Sequence, residues 1–304
     1  MHWMYHTRCF GVGGNRSMQK SLRIGQILYT NVLPVYFYFQ QERFEDQIEF
    51  IRQVPATLNQ AMARGEIDLG PISSFSYAEH ASRYVALADL SVSANGRVGS
   101  LFLFSKKPIE QLNGAKIALT NTSATTVNLL KIILSKFYDY EISYVTQEPI
   151  LADMLREADA ALLIGDDAIQ AVRRGGDLHV YDLGELWHQF TGYSMTFAIW
   201  AVRKEVLAEQ SELLAEVHNS FLASKRKTRE NPAPLIDYVH THFGGDKQEW
   251  AQYFQGLQHD FGDVQRIGLL YYYRCAAELG LLPAPATVDL WQAGGRQTNT
   301  TLTR

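Results

Sequence analysis

Two strands that are apolar on both faces bracket a strand–helix module in the middle of the chain. They are residues 100–105 (SLFLFS) and 196–202 (TFAIWAV), and such strands are typical of a sheet covered on both sides. Between them, residues 107–193 alternate strand and helix patterns, which indicates an α/β module. The simplest topology makes the two apolar strands the crossings between two lobes. The sequence therefore predicts a two-lobed α/β protein with a ligand cleft between the lobes.

The limits of the predicted lobes follow from this bracketing. Lobe one is discontinuous and comprises residues 21–105 plus 195–282, and lobe two is the insert 106–194. Residues 1–20 contain a Gly-rich stretch and no apolar core of the kind found in signal peptides, so we expect a disordered tail. Residues 283–304 are expected to form a loose tail.

Finer patterns predict the elements of lobe one. Residues 56–64 have helical spacing and end at Gly65, a typical C-cap residue. The polar stretch 91–99 predicts a loop, and residues 204–282 have a helical pattern. The expected strands on either side of the first helix, and at the start of the chain, are residues 22–29, 48–53 and 67–72.

Composition excludes several classes of partner. The net charge is -4, from 28 basic and 32 acidic residues, so nothing indicates binding to nucleic acid. No run of apolar residues is long enough to span a membrane. The two cysteines, Cys9 and Cys275, lie at opposite ends of the chain and are expected to be free thiols in a reducing compartment. No metal-binding or dinucleotide motif occurs, so we expect neither a metal site nor a dinucleotide-binding site.

The polar run Thr120–Thr126 (TNTSATT) is the strongest indication of a ligand site. It follows a predicted strand and precedes a helix, where free backbone N–H groups and hydroxyls favour a bound anion. The alternative is a simple helix cap, although the run contains more hydroxyls than a cap needs. Ser73 and Ser74 occupy a similar place and could be a cap or a ligand contact. Asn31 at a strand end and Ser100 after Gly99 could each be structural.

Two other polar or aromatic clusters have ordinary structural interpretations. Asp166-Asp167 resembles an acid pair, but we interpret it as a strand-to-helix turn with an aspartate N-cap. Tyr271–Tyr273 lies on the last predicted helix and could cover the cleft, although such a face is usually core. His240 and His242 are interpreted as solvated surface residues.

Several segments together resemble the chorismate dehydratases of the futalosine route to menaquinone. The segments Asp68–Ser74 (DLGPISS) and Thr120–Ser123 (TNTS) are the most specific, and the resemblance covers most of residues 22–203. The other resembling stretches are IGQILYTNVLP from Ile24, VGSLFLFS from Val98, AALLIGDD from Ala160 and YDLGELW from Tyr181.

The resemblance implies a fold like that of type II periplasmic binding proteins, in a cytoplasmic enzyme that needs no cofactor. The family removes water from chorismate: a proton leaves C3, the C4 hydroxyl departs, and the ring becomes aromatic. Carried over by position, Asn31 orients the substrate, and Ser100 relays a proton or holds the leaving hydroxyl. A carboxylate of the substrate itself is then the expected proton acceptor. The expected substrate-binding residues are Ser73, Ser74, Thr120, Asn121, Thr122 and Ser123.

Three alternatives remain open from the sequence. A non-catalytic binding protein for a small carboxylate could have the same fold, although such proteins are normally exported and no export signal is visible. The ligand-sensing domain of a regulator is another possibility, but no helix-turn-helix pattern adjoins the lobes. The third alternative is a sister enzyme of the same pathway, which should place a histidine for acid–base chemistry.

One departure from the family pattern is Thr30, where a bulkier residue is expected before Asn31. The sequence does not predict the oligomeric state.

Overall fold

The computed structural model describes residues 21–292 and the backbone of residues 298–300. The strands are β1 (Leu22–Ile27), β2 (Ile48–Gln53), β3 (Leu69–Ser73), β4 (Tyr84–Ala94), β5 (Leu101–Ser105), β6 (Lys116–Thr120), β7 (Ser143–Gln147), β8 (Ala160–Ile164), β9 (His179–Asp182), β10 (Met195–Arg203), β11 (Leu257–Gln258), β12 (Val288–Trp291) and β13 (Thr298–Thr300). The α-helices are α1 (Leu33–Tyr36), α2 (Pro55–Arg64), α3 (Ser74–Glu79), α4 (Thr125–Ile132), α5 (Leu151–Glu157), α6 (Gly165–Arg174), α7 (Leu183–Thr191), α8 (Lys204–Glu209), α9 (Ser211–Glu230), α10 (Ala233–Phe243), α11 (Lys247–Gly256) and α12 (Asp263–Glu278).

The first sheet has the strand order β13-β12-β4-β10-β3-β1-β2, and β11 pairs with β4. Strand β1 runs parallel to β2 and β3, whereas β10 runs antiparallel to both β3 and β4. Every residue of β3 is buried, as expected of a central strand covered on both faces. Helix α2 connects β2 to β3 and ends at Gly65 in the left-handed conformation, φ 73°, which confirms the predicted C-cap.

The second sheet has the order β7-β6-β8-β5-β9. Strand β6 is parallel to β7 and β8, and β5 is antiparallel to β8 and β9. The assignment of residues 100–105 to lobe one is therefore wrong, because β5 hydrogen-bonds only within the second sheet among the described residues. The chain crosses between the sheets in residues 95–100, before this strand, and returns ahead of β10.

Two other expectations, one for lobe one and one for the C-terminal tail, are wrong. The predicted loop 91–99 begins late because β4 continues to Ala94, with Ser91 and Ser93 fully buried. Their hydroxyls satisfy each other at 2.7 Å, and the Ser93 hydroxyl also meets that of Thr196 at 2.9 Å, so burial leaves them paired. The predicted loose tail contains β12, which pairs in parallel with β4 and buries Val288. The predicted tail at residues 1–20 lies outside the described residues.

The helices after β10 close the first sheet and reach the second. Helix α12 buries Tyr272 and Tyr273 in the core but leaves Tyr271 only half-buried. The same helix holds Cys275 as a buried free thiol. Helices α10 and α11 pack through a cluster that includes Leu235, Trp250 and Ile169 of α6. Within the part of the chain that the structure describes, no helix is both long and apolar enough to cross a membrane.

Candidate active site

The ends of β1 and β8 meet between the two sheets. The Oγ1 hydroxyl of Thr30 donates a hydrogen bond to Oδ1 of Asp166 at 2.6 Å, and the Thr30 backbone N–H donates to Oδ2 at 3.2 Å. Next to this contact, a Cβ added to Gly165 would lie 2.9 Å from the ring of Tyr29, and Gly165 has φ +62°. A glycine at this position therefore lets the aromatic ring rest directly on the backbone of the opposite sheet.

Asp166 lies in the first turn of α6, but its role differs from the predicted cap. No side chain of the described residues caps this helix, whose N-cap position is Ile164, so the N-cap interpretation of Asp166-Asp167 is wrong. Burial raises the pKa of Asp166 to about 6, against the opposing effect of the hydrogen bonds from Thr30. The neighbouring Asp167 adds a smaller effect in the same direction. The carboxyl group is thus a half-buried acceptor that joins the two sheets.

Asn31 lies in the tight turn that follows β1. Its backbone carbonyl accepts a hydrogen bond from Nε2 of His259 at 2.7 Å, which fixes the neutral Nε2–H tautomer of that histidine. Burial lowers the pKa of His259 to about 4. The side-chain oxygen of Asn31 is buried and accepts no hydrogen bond from any described residue. A buried amide oxygen without a partner is unfavourable alone, so it fits a group that meets a ligand.

Ser100 is buried at the end of the crossing loop and belongs to the same region. Its carbonyl accepts a hydrogen bond from the Gly165 backbone N–H at 2.7 Å, next to the contact between Thr30 and Asp166. The buried Asp182 holds the preceding loop by accepting from the backbone N–H groups of Val98 at 3.1 Å and Gly99 at 2.7 Å. The same carboxylate caps α7, so one side chain fixes the loop and the helix together.

Tyr253 reaches this region from α11. Its hydroxyl interacts with the side chains of Ser100 and Thr30, and the nearby charge of Asp166 adds to the effect of burial in raising the pKa of the phenol. The hydroxyl oxygen is buried without a partner in hydrogen-bonding geometry among the described residues. One polar site between the sheets is thus formed by residues 29–31, 99–100, 165–166 and Tyr253.

The predicted carboxylate-binding residues lie at two helix starts that touch each other. Ser73 accepts a hydrogen bond from the Ser76 backbone N–H and so caps α3. The Phe75 backbone N–H of the same helix donates to the Thr125 hydroxyl of α4 at 3.0 Å. Ser74 is fully buried, and its hydroxyl has no partner among the residues described. Such a hydroxyl, between two helix starts rich in N–H donors, suits an anionic ligand group.

The residues of the 120–123 run have different surroundings. The hydroxyls of Thr120 and Thr122 pair at 2.8 Å, and Thr122 also interacts with the Tyr29 hydroxyl. Ser123 accepts from the Thr126 backbone N–H, which is the contact expected of a helix cap. Asn121 is exposed, and its side-chain amide donates to Glu148 at 2.6 Å. Substrate contacts by Thr120, Asn121, Thr122 and Ser123 remain predictions.

Sequence reasoning missed three residues that complete the site. Asp166 carried a signal, since it follows a strand end, but its partner Thr30 is 136 residues away along the chain. Tyr253 and His259 lie in the helical part of the chain, where an aromatic residue and a histidine are ordinary features of a sequence. The site offers hydroxyls, an amide and helix N-termini, which suit positioning and polarising a small carboxylate. Among the described residues, no group of His, Cys, Asp and Glu side chains is arranged to hold a metal ion.

Solved structures with similar folds support the predicted architecture. A protein from Archaeoglobus fulgidus superposes with a TM-score of 0.70 at 21% sequence identity, over 87% of this chain and 100% of that one. The periplasmic aliphatic sulphonate binding protein SsuA from Escherichia coli gives 0.65 at 18% identity, over 93% and 97% of the two chains. These similarities confirm the expected periplasmic-binding-protein-like fold.

Sequence comparison gives closer relationships. The chain is 36% identical over 279 residues to the chorismate dehydratase of Thermus thermophilus, covering 86% of this chain and 96% of that protein. It is 25% identical over 274 residues to the 1,4-dihydroxy-6-naphtoate synthase of the same species, covering 88% and 98%. The model of the menaquinone biosynthesis family matches residues 22–278. This protein therefore belongs to the menaquinone biosynthesis family.

Proposed function

We propose that this protein is a chorismate dehydratase, a hydro-lyase that converts chorismate to 3-enolpyruvylbenzoate and water in the cytoplasm. The observation that carries the proposal is the 36% identity to the Thermus thermophilus chorismate dehydratase, over 96% of that protein. The reaction then belongs to the futalosine route to menaquinone, in agreement with the family to which the chain belongs.

The site divides between the two kinds of group that chorismate carries. Its carboxylates suit the touching starts of α3 and α4, where the Ser74 hydroxyl is buried without a partner among the described residues. Its C4 hydroxyl and the C3 hydrogen suit the region of Asn31 and Ser100. Asn31 then orients the ring through its unpaired amide oxygen, while Ser100 holds the departing hydroxyl.

For this reaction the protein has mainly to position the substrate and to polarise its reacting groups. Loss of the C3 proton and the C4 hydroxyl creates an aromatic ring, so the driving force lies in the substrate. A carboxylate of the substrate accepts the C3 proton, since an amide and an alcohol are poor bases near neutral pH. Buried, pre-oriented donors then stabilise the charge that develops on the leaving oxygen.

His259 favours the dehydratase over an activity like that of the 1,4-dihydroxy-6-naphtoate synthase relative. We expect the latter to use a histidine for acid–base chemistry. In this chain, the Nε2–H of His259 is committed to the Asn31 carbonyl, and burial lowers its pKa to about 4. A histidine in that state positions Asn31 and does not exchange protons near neutral pH.

Incubating the purified full-length chain with chorismate, and following products by chromatography, tests the proposal. We expect 3-enolpyruvylbenzoate to form, and Asn31→Ala to lower kcat by roughly 100-fold or more. Asn231→Ala, at the exposed end of α9, is the matched control and should retain full turnover. A chorismate-induced rise in melting temperature without turnover would favour a binding protein. The absence of any response would show that chorismate is not the ligand.

A further inference from the structure

Helix α11 brings Tyr253 directly against the crossing loop. A Cβ added to Gly99 would lie 3.2 Å from Cδ2 of the Tyr253 ring, and Gly99 has φ +76°. Because Gly99 immediately precedes Ser100, the ring packs on bare backbone beside a predicted catalytic residue. Helix α11 is itself held on α6, since Arg173 lies 4.5 Å over the Trp250 ring and bonds Glu249 at 3.2 Å. The position of Tyr253 is therefore fixed from both sides.

The Tyr253 hydroxyl is buried with no partner in hydrogen-bonding geometry among the described residues, although the Ser100 and Thr30 side chains lie beside it. Buried hydroxyls are almost always hydrogen-bonded in folded proteins. Phenylalanine would fill the same ring position without this cost. A hydroxyl at this place indicates a partner that arrives with the ligand.

We propose that Tyr253 is a further catalytic residue of this site, and that its hydroxyl donates a hydrogen bond to the oxygen that leaves C4 of chorismate. This inference rests on the proposed dehydratase function. The position of the residue selects the oxygen: Tyr253 lies beside Ser100, whereas the carboxylates are assigned to the starts of α3 and α4, where Phe75 meets Thr125.

The hydroxyl of Tyr253 acts as a donor. Burial is the main cause that raises the pKa of this phenol, and the charges of Asp166 and Asp182 add to the effect, so the group keeps its proton near neutral pH. In the reaction, the C3–H bond breaks and its electron pair enters the ring. The C4–O bond breaks with its pair on oxygen, and the proton released from C3 balances the proton with which that oxygen leaves as water. A hydrogen bond from Tyr253 stabilises the charge on this oxygen as the bond breaks.

The test compares Tyr253→Phe with Tyr238→Phe in the full-length chain. Tyr238 belongs to the same aromatic cluster, on α10, and stacks on His242, so its variant controls for loss of a phenol in this packing. We expect Tyr253→Phe to unfold at the wild-type temperature or above and to lower kcat by about 100- to 1000-fold, with a much smaller change in KM. The product 3-enolpyruvylbenzoate has no C4 oxygen, so its Kd for this variant should stay within about twofold of the wild-type value.

The possible results distinguish a failure of the role of Tyr253 from a failure of the dehydratase function. Wild-type turnover with an equally active Tyr253→Phe variant overturns this inference and leaves the dehydratase function standing. A rise in KM at unchanged kcat, or an equal loss of affinity for the product, also overturns it, because the contact would then not be with the departing oxygen. Failure of the wild-type protein to convert chorismate overturns the proposed function and, with it, this inference.

Discussion

Replacing Asp166 by asparagine should stabilise the protein above neutral pH and not at acid pH. Burial raises the pKa of Asp166 to about 6 from an ordinary value of 3.8. A carboxyl whose folded-state pKa is raised contributes stability that is fully present below its unfolded pKa and lost as the pH rises through the folded value. The shift of roughly two pKa units corresponds to about 3 kcal/mol of unfolding free energy.

The substitution also removes one hydrogen bond. The introduced asparagine would keep an oxygen to accept from the Thr30 hydroxyl, but its amide nitrogen would replace the Oδ2 of Asp166, which accepts the Thr30 backbone N–H at 3.2 Å. That loss costs about 1 kcal/mol at every pH. Asp166→Asn should therefore be about 2 kcal/mol more stable than the wild type near pH 8, and about 1 kcal/mol less stable near pH 4.

Urea unfolding of both proteins, at intervals from about pH 4 to about pH 8, measures the difference. Asp177→Asn removes an exposed carboxylate from the segment between α6 and β9 and controls for the change in net charge. The charges that act on Asp166 are those of Asp167 and Arg173, with Tyr253 and Thr30 beside them, and all are retained in the variant. A difference in unfolding free energy that is independent of pH, or that grows in the opposite direction, would refute the reasoning.

Three further predictions concern the supports of the site. His259→Gln should remove about 3 kcal/mol of acid sensitivity in urea unfolding, because the wild-type imidazole contributes a loss of stability as the pH falls from the ordinary histidine value of 6.5 through about 4. An unfolding free energy whose pH dependence is the same in the variant and the wild type would contradict the buried neutral imidazole. Gly165→Ala should lower the unfolding free energy by about 2–4 kcal/mol, because the methyl group strains the backbone and meets the Tyr29 ring. Gly192→Ala, at φ +70° with open space around the site, should lower it by only about 1 kcal/mol, and equal losses would argue against the ring contact. Asp182→Ala should lower the unfolding free energy by about 2–4 kcal/mol, since buried backbone N–H groups of the crossing loop and α7 lose their acceptor. Asp246→Ala, which removes an exposed cap of α11, should lower it by about 1 kcal/mol, and equal losses in thermal unfolding would show that Asp182 acts only as a helix cap.

The strand–helix alternation predicted the architecture, but not which sheet each strand joins. The pattern of β5 is apolar on both faces, and such a pattern fits the centre of either sheet equally well. Its partners β8 and β9 come later in the chain, so pairing is decided by contacts that are not local. The polar residues Ser91 and Ser93 were wrongly predicted to lie in a loop for a related reason. Their hydroxyls can be buried in a strand because a neighbouring strand supplies a hydrogen-bond partner.

The site was predictable only in part. The anion-binding character of the helix starts followed from residue type and position, because hydroxyls at a strand end before a helix suit anions in most α/β folds. Roles for Asn31 and Ser100 came from family resemblance. Asp166 was visible as a residue, but its partner Thr30 approaches only when the two sheets assemble. Tyr253 and His259 belong to a segment after β10 that the α/β pattern does not describe.

Asp166 and His259, the two groups with strongly shifted pKa values at the site, have opposing effects on the pH dependence of the unfolding free energy. As the pH falls below 6.5, His259 must gain a proton that burial disfavours, and the folded state loses stability. Over nearly the same range, from about 6 downward, Asp166 gains a proton that burial favours, and the folded state recovers a similar amount. Each contribution is about 3 kcal/mol and their signs differ, so these two contributions to the unfolding free energy nearly cancel in this range. A flat pH profile of the wild-type protein is thus compatible with two strongly perturbed groups, and only the single variants expose the slope that each contributes.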